Sequence, residues 1–217
     1  MVIAIDGPAG SGKSTIARKV AEALGFTYVN SGNLYRALTL RALRSGVAIE
    51  DPAALLACAA AARIEYRIGR LFLDGVDVED SLHSAEVDAL VAQVSALPPL
   101  RDIVNALVRR IAGSTDAVVE GRDMTTVVFP EARLKFFLDA SPEARARRRF
   151  DQGVSGASLE EIQKNIEMRD EIDRSKSVGS LKIAPDAEYL DSSHLTIQEV
   201  YDKVYAKILL IREDHGR

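Results

Sequence analysis

The apolar run Val2-Ile3-Ala4-Ile5 is followed by Asp6, by a glycine-rich stretch from Gly7 to Gly12, and by a segment in which Ile16, Val20 and Leu24 recur at helical spacing before Gly25. That order predicts a buried strand, a loop and an amphipathic helix stopped by a glycine. Residues 26–30 read as a second short strand, and the same apolar signature returns at 117–121, 134–138 and 188–191. Short apolar strands alternating with helical segments imply an α/β fold, a parallel sheet with helices on both faces. In such sheets functional residues gather at the C-terminal ends of the strands. Ser31, Tyr35, Arg36, Arg122 and Asp123 all follow a predicted strand.

The long stretch between the second and third of these strands has a different rhythm. Asp51-Pro52 opens a helix that runs to residue 62, after which residues 63–68 alternate polar and apolar, turn at Gly69-Arg70 and return through 71–75. This pattern predicts a small antiparallel hairpin. Two further helices are expected, one from Ala85 to Ala96 that stops before Pro98-Pro99 and one starting near Leu100. Residues 37–110 therefore read as an insertion on the substrate side. Downstream, Ser141-Pro142-Glu143 is a helix start with a capping serine and a proline at the first position, and the helix breaks near Gly153. Ser158-Leu159-Glu160-Glu161 and Thr196-Ile197-Gln198-Glu199 are capping boxes. The second opens a helix whose stripe is Ile197, Val200, Val204, Ile208 and Ile211.

Composition narrows the partners. With 28 Lys and Arg against 32 Asp and Glu, the net charge of −4 leaves no general cationic surface, so neither nucleic acid nor a membrane is an expected partner. No apolar run reaches membrane-spanning length, and the first strand is too short for a signal peptide, so a cytoplasmic protein is expected, and a monomer is the expected state. The single cysteine, Cys58, sits in an alanine-rich helical stretch and reads as a small buried residue.

The glycine-rich loop Gly7-Pro8-Ala9-Gly10-Ser11-Gly12-Lys13-Ser14 matches G-x-x-x-x-G-K-[ST] at every fixed position, between a predicted strand and a predicted helix. Backbone N–H groups of such a loop, with the helix behind them, suit a polyphosphate. Lys13 then reaches the β- and γ-phosphates and the Ser14 hydroxyl holds Mg²⁺. The loop by itself does not choose between a kinase, a GTP switch and a motor. No N-K-x-D guanine reader is present, and Val118-Val119-Glu120-Gly121 only partly resembles the apolar strand of a motor. What the chain has instead are arginines in predicted loops and helix ends: Arg36, Arg101, Arg122, Arg148, Arg149 and Arg169. Guanidiniums grip phosphate oxygens bidentately, and phosphoryl transfer asks mainly for positioning and charge stabilisation. Arg145 and Arg147 stand in the same charged run, where a solvated helix face is an equally good reading. Asp123 and Asp173 suit the exocyclic amine or ribose hydroxyls of a nucleotide, or else pair with neighbouring arginines.

Six stretches resemble bacterial cytidylate kinases, and together they span nearly the whole chain: 3–15 (IAIDGPAGSGKST), 31–37 (SGNLYRA), 94–101 (VSALPPLR), 120–130 (EGRDMTTVVFP), 145–149 (RARRR) and 169–173 (RDEID). The resemblance implies a P-loop core of residues 1–36, 111–144 and 177–217, a CMP-binding region with an insertion at 37–110, and a short helical lid with its adjoining helix at 145–176. It implies phosphorylation of CMP and dCMP by ATP with Mg²⁺. Gly7, Pro8, Ala9, Gly10, Ser11, Gly12, Lys13, Ser14 and Thr15 would bind ATP, and Lys13, Arg148 and Arg149 would stabilise the transferring phosphoryl. Ser31, Tyr35, Arg36, Arg101, Arg122, Asp123, Arg169, Asp173 and Lys176 would bind CMP. Within that set Arg36, Arg122 and Lys176 serve the phosphate, Arg101 and Asp123 the cytosine, and Arg169 with Asp173 the ribose. Ala92 and Lys176 depart from the family pattern, which usually carries serine and arginine there. The competing readings are a small-metabolite P-loop kinase of the shikimate or gluconate type, which has no use for the insertion or for Arg101, and a nucleotide-binding regulatory module without turnover.

Overall fold

A computed structural model describes residues 1–67, 69–153 and 157–213, with the side chains of 212 and 213 excepted. Ile68, the last residue of the first expected hairpin strand, lies outside the described residues, as do 154–156 and 214–217. In chain order the elements are β1 (Val2–Asp6), α1 (Lys13–Leu24), β2 (Thr27–Asn30), α2 (Ser31–Arg44), α3 (Pro52–Ala60), β3 (Ile64–Arg67), β4 (Arg70–Leu73), β5 (Val76–Asp77), α4 (Ala85–Ala96), α5 (Pro98–Gly113), β6 (Ala117–Gly121), a π-turn (Met124–Val128), β7 (Leu134–Asp139), α6 (Pro142–Asp151), α7 (Leu159–Ser175), β8 (Glu188–Asp191) and α8 (Ile197–Glu213). Two compact units result, Met1–Tyr28 with Ala117–Arg217, and Val29–Asp116 inserted between them in sequence.

The first unit is built on β6, β1, β7 and β8 of a five-stranded sheet in the order β2-β6-β1-β7-β8, with Thr27 and Tyr28 of β2. β1 runs parallel to β6 and β7, and β7 parallel to β8. The register sets Asp6 opposite Gly121 and Phe137, so β1 delivers the glycine-rich loop beside the ends of its two neighbours. Alternation along the strands sends Ile3, Ile5, Val118, Phe136 and Leu138 into one core with Ile16 and Val20 of α1 and Val200, Val204 and Ile208 of α8. The residues between them, Ala4, Val119 and Phe137, are buried as well, so both faces of the sheet are covered. α6 and α7 share a smaller cluster of Ala146, Ile162 and Ile166.

The second unit packs α2 to α5 with a three-stranded antiparallel sheet, β3-β4-β5. The expected hairpin is therefore extended by one strand. Leu73 pairs with Val76 across Asp74-Gly75, both at positive φ of 50° and 86°, which is the backbone a two-residue hairpin turn needs. The Asp74 carboxylate fixes the turn by accepting from the Arg63 backbone N–H at 2.9 Å and from Arg41 Nε at 2.8 Å. Pro98 and Pro99 do not precede α5 but form its first turn. Proline fits there because its missing N–H would have had no partner.

Candidate functional site

The phosphate loop spans 7–12 between β1 and α1 and is shaped by its glycines. A Cβ on Gly7 would stand 2.0 Å from the Leu138 carbonyl oxygen, and Gly12 holds φ +90° immediately before the helix. Behind the loop Lys13 is buried, its ammonium donating to the Pro8 carbonyl at 3.1 Å. Burial depresses its pKa to about 7, with the Arg122 and Arg169 charges in the same sense and Glu120 and Asp6 opposing. The Ser11 hydroxyl is buried without a hydrogen-bond partner, whereas Ser14 and Thr15 are exposed. Loop residues 10–16 line a cavity of about 440 Å³ with Arg148, Arg149 and Gln152 of α6 and with Ser192, Leu195, Thr196, Ile197 and Val200. That volume is in the range of small-molecule sites. Arg148 donates to the Ser192 hydroxyl at 3.2 Å and to the Ser192 carbonyl. The segment 192–200 read as a capping box and the start of an apolar stripe with no role in binding, yet its Leu195, Ile197 and Val200 supply apolar wall to this cavity.

Beyond the end of β6, the same unit holds a second cluster. Arg122 Nε donates to Asp173 Oδ2 at 2.8 Å and Lys176 Nζ to Asp173 Oδ1 at 2.7 Å. Burial would raise the Asp173 carboxyl, but the two cations win and hold it at about 2. Arg169, exposed on α7, precedes Asp173 by four residues and so shares its helix face. Asp123 is buried at the head of the π-turn. Asp6, given no role above, is fully buried and accepts from Met124 N, Thr125 N and Thr125 Oγ1. Glu120, also buried, accepts from the Tyr28 hydroxyl. A charged residue closing an apolar strand was the signal for Asp6.

Arg145 departs from the solvated-face reading. Its side chain is 1% exposed, and its fork grips Asp170 of α7 at 3.0 and 2.5 Å while also donating to the carbonyls of Ala140 (2.8 Å) and Ala9 (3.2 Å). Arg147, two positions on, does face water, 3.4 Å from Asp151.

The second unit brings together the remaining expected residues. Ser31 opens α2 behind the Asn30 cap, and Tyr35 lies one turn further along. The Arg101 guanidinium of α5 is buried 5.8 Å from the centre of the Tyr35 ring. Arg36 donates to the Leu82 carbonyl at 3.0 Å and pairs with Asp88 at 2.5 Å. Ala92 is exposed on α4.

A parallel sheet whose central strand runs into a phosphate loop, with a buried loop lysine and a basic helix lining the cavity beside it, defines a P-loop kinase. A crystal structure of shikimate kinase from Bacteroides thetaiotaomicron shares this fold, with a TM-score of 0.50 and 13% identity over 98% of each chain. Residues 3–209 match the model of the cytidylate kinase family, and the chain belongs to that family. Curated relatives named cytidylate kinase include one from Caldanaerobacter subterraneus subsp. tengcongensis, 41% identical over 95% of this chain and 93% of its own. Another, from Thermodesulfovibrio yellowstonii, is 41% identical over 95% of this chain and 97% of its own.

Proposed function

We propose that the chain transfers the γ-phosphoryl group of ATP to CMP and dCMP, giving ADP and CDP or dCDP. The observation that carries this reading is the pairing, in one unit, of a buried phosphate-loop lysine with the Arg122–Asp173–Lys176 cluster, in a chain that belongs to the cytidylate kinases. Loop residues 7–15 hold the ATP phosphates, and the buried Ser11 hydroxyl offers them an unused hydrogen bond. Lys13, Arg148 and Arg149 neutralise charge on the transferring group. Arg36, Arg122 and Lys176 hold the CMP phosphate, Arg101 and Asp123 read cytosine, Arg169 and Asp173 hold the ribose, and Ser31 and Tyr35 complete the set.

An oxygen of the CMP phosphate forms the new bond to the γ-phosphorus as the bond to the ADP oxygen breaks. That oxygen is already anionic at neutral pH, so the chain need not supply a general base. Mg²⁺ in this chemistry needs few protein ligands, because phosphates and water complete its shell. The donor set fits: the exposed Ser14 hydroxyl stands at the loop and offers the oxygen donor that this ion takes. Bound there, the ion would offset phosphate charge.

No helix among the described residues is long and apolar enough to cross a membrane. The reading is of a cytoplasmic monomer acting on small nucleotides, and the net charge of −4 offers no general cationic surface for nucleic acid. Purified protein is expected to form CDP from ATP and CMP, to accept dCMP, and to leave AMP and shikimate untouched. ATP hydrolysis that proceeds equally with and without CMP, with no CDP formed, overturns the assignment.

A further inference from the structure

Asp6 is the last residue of β1 and stands directly before Gly7, the first residue of the phosphate loop. Both of its carboxylate oxygens are committed to one short stretch. Oδ1 accepts from Met124 N at 2.9 Å, and Oδ2 accepts from Thr125 N at 2.7 Å and Thr125 Oγ1 at 2.6 Å. Met124 and Thr125 open the π-turn that follows Arg122 and Asp123. N–H groups at the start of a helical turn have no partner inside it, and the preceding side chain commonly caps them. Here the preceding residue, Asp123, gives no side-chain cap, and its carbonyl accepts from Val127 and Val128. The cap comes instead from the neighbouring strand.

We propose that Asp6 is a positioning residue for the nucleoside monophosphate: by capping the 124–128 turn it fixes the backbone of Arg122 and Asp123, and through its peptide bond to Gly7 it holds that turn in register with the phosphate loop. This rests on the reading of Arg122 and Asp123 as CMP-binding. The residue type matters. A carboxylate presents acceptors only, whereas an asparagine would set an NH₂ donor against one of the facing N–H groups. The fold keeps the carboxylate at a cost, since burial and the nearby Asp123 carboxylate push it up to about 6 although the Met124 and Thr125 hydrogen bonds pull it down.

Asp6→Asn tests the idea, with Thr125→Val and Thr125→Ser as milder companions and Asp123→Ala as a control on the underlying reading. Five quantities are compared: melting temperature, KM for ATP, KM for CMP, the CMP-to-UMP ratio of kcat/KM, and amide hydrogen exchange at Met124 and Thr125. In Asp6→Asn the two amides should exchange faster and KM for CMP should rise by about tenfold, a typical consequence of sub-ångström misplacement. The CMP-to-UMP ratio should narrow while KM for ATP stays within about twofold. Thr125→Val should move the same quantities less, and Thr125→Ser should restore them. An unchanged KM for CMP with slow exchange overturns the proposal, as does a parallel rise in both KM values that tracks lost stability. If Asp6→Asn does not fold, the Thr125 pair decides by the same criteria. A ratio that moves in Asp123→Ala but not in Asp6→Asn rejects the Asp6 role alone. An unchanged ratio in Asp123→Ala removes the base-reading role of Asp123, and Asp6 is then judged on KM for CMP and on exchange.

Discussion

At Lys13 the fold works against its own stability. The folded protein releases the Lys13 proton near pH 7, whereas the unfolded chain keeps it up to about 10.5. The unfolded state thus binds more protons between these values, and nucleotide-free protein gains stability as pH rises from 7 towards 10.5. Phosphate oxygens beside the ammonium reverse the shift, so ATP binding at pH 8 should take up a proton. Calorimetry in buffers of differing ionisation enthalpy reads this directly, and Lys13→Ala should abolish it while lowering kcat by roughly 10²-fold or more. Uptake that persists in the alanine variant would assign the proton to another group. Asp173 carries the opposite sign. Its folded pKa of about 2 lies below the ordinary 3.8, so the stability it contributes is present above pH 4 and lost as pH falls towards 2. The shift corresponds to about 2 kcal/mol, and Asp173→Asn should flatten the acid limb of a stability profile over that window. Lys176, held by the same carboxylate, offers a point charge where an arginine would offer a fork. Lys176→Arg should tighten CMP by no more than about 1 kcal/mol, because Arg36 and Arg122 remain. Weaker CMP binding in equilibrium titration would show that lysine is adapted to its place.

Between elements, the buried Arg145–Asp170 pair ties α6 to α7, and a third bond carries the tie to the loop carbonyl of Ala9. Breaking one side leaves an uncompensated buried charge, so Arg145→Met should cost 3–5 kcal/mol, roughly the range for such pairs. Adding Asp170→Asn should recover part of that loss, and Arg147→Met on the exposed neighbour should change stability by about 0.5 kcal/mol or less. Equal effects at the two arginines in denaturant titration would remove the clamp. This contrast marks what a linear pattern conveys. The caps at Ser141, Ser158 and Thr196 form as their spacing predicts, because a cap is a local event read over four residues. Arg145 and Arg147 are indistinguishable in such a reading, since what buries one is a carboxylate 25 residues away and two carbonyls. β5 is two residues long, too short for any periodicity, although Asp74-Gly75 was a turn signal in plain sight. The loop lysine was legible from its motif, but its depressed pKa depends on burial, which only the fold creates.

At the scale of the whole chain, the residues assigned to CMP come from both compact units, Ser31, Tyr35, Arg36 and Arg101 from the second and Arg122, Asp123, Arg169, Asp173 and Lys176 from the first. Those assigned to ATP all lie in the first, on the loop and on α6, beside a cavity that residues of the 192–200 segment also line. Sequence order conceals this, because the second unit is inserted between Tyr28 and Ala117. A ligand that binds only the folded form stabilises the segments it touches by RT ln(1 + [L]/Kd), about 2.7 kcal/mol at a hundredfold excess over Kd. Local opening free energies are smallest in loops and element ends, where such an increment shows most clearly in amide exchange. A non-hydrolysable ATP analogue should therefore slow exchange at 7–16 and 192–200 and leave α2 and α5 as they were. CMP should slow it at Ser31–Arg36 and around Arg101 in the second unit and at Arg122–Asp123 and 169–176 in the first. UMP at equal concentration should give the phosphate-side part of that pattern, with less protection near Asp123, whose carboxylate is proposed to accept from the cytosine amine, and near Arg101, whose guanidinium can donate only to acceptors on the ring. Protection by CMP confined to the first unit would strike Ser31, Tyr35, Arg36 and Arg101 from the binding set while leaving the phosphate loop and its chemistry in place.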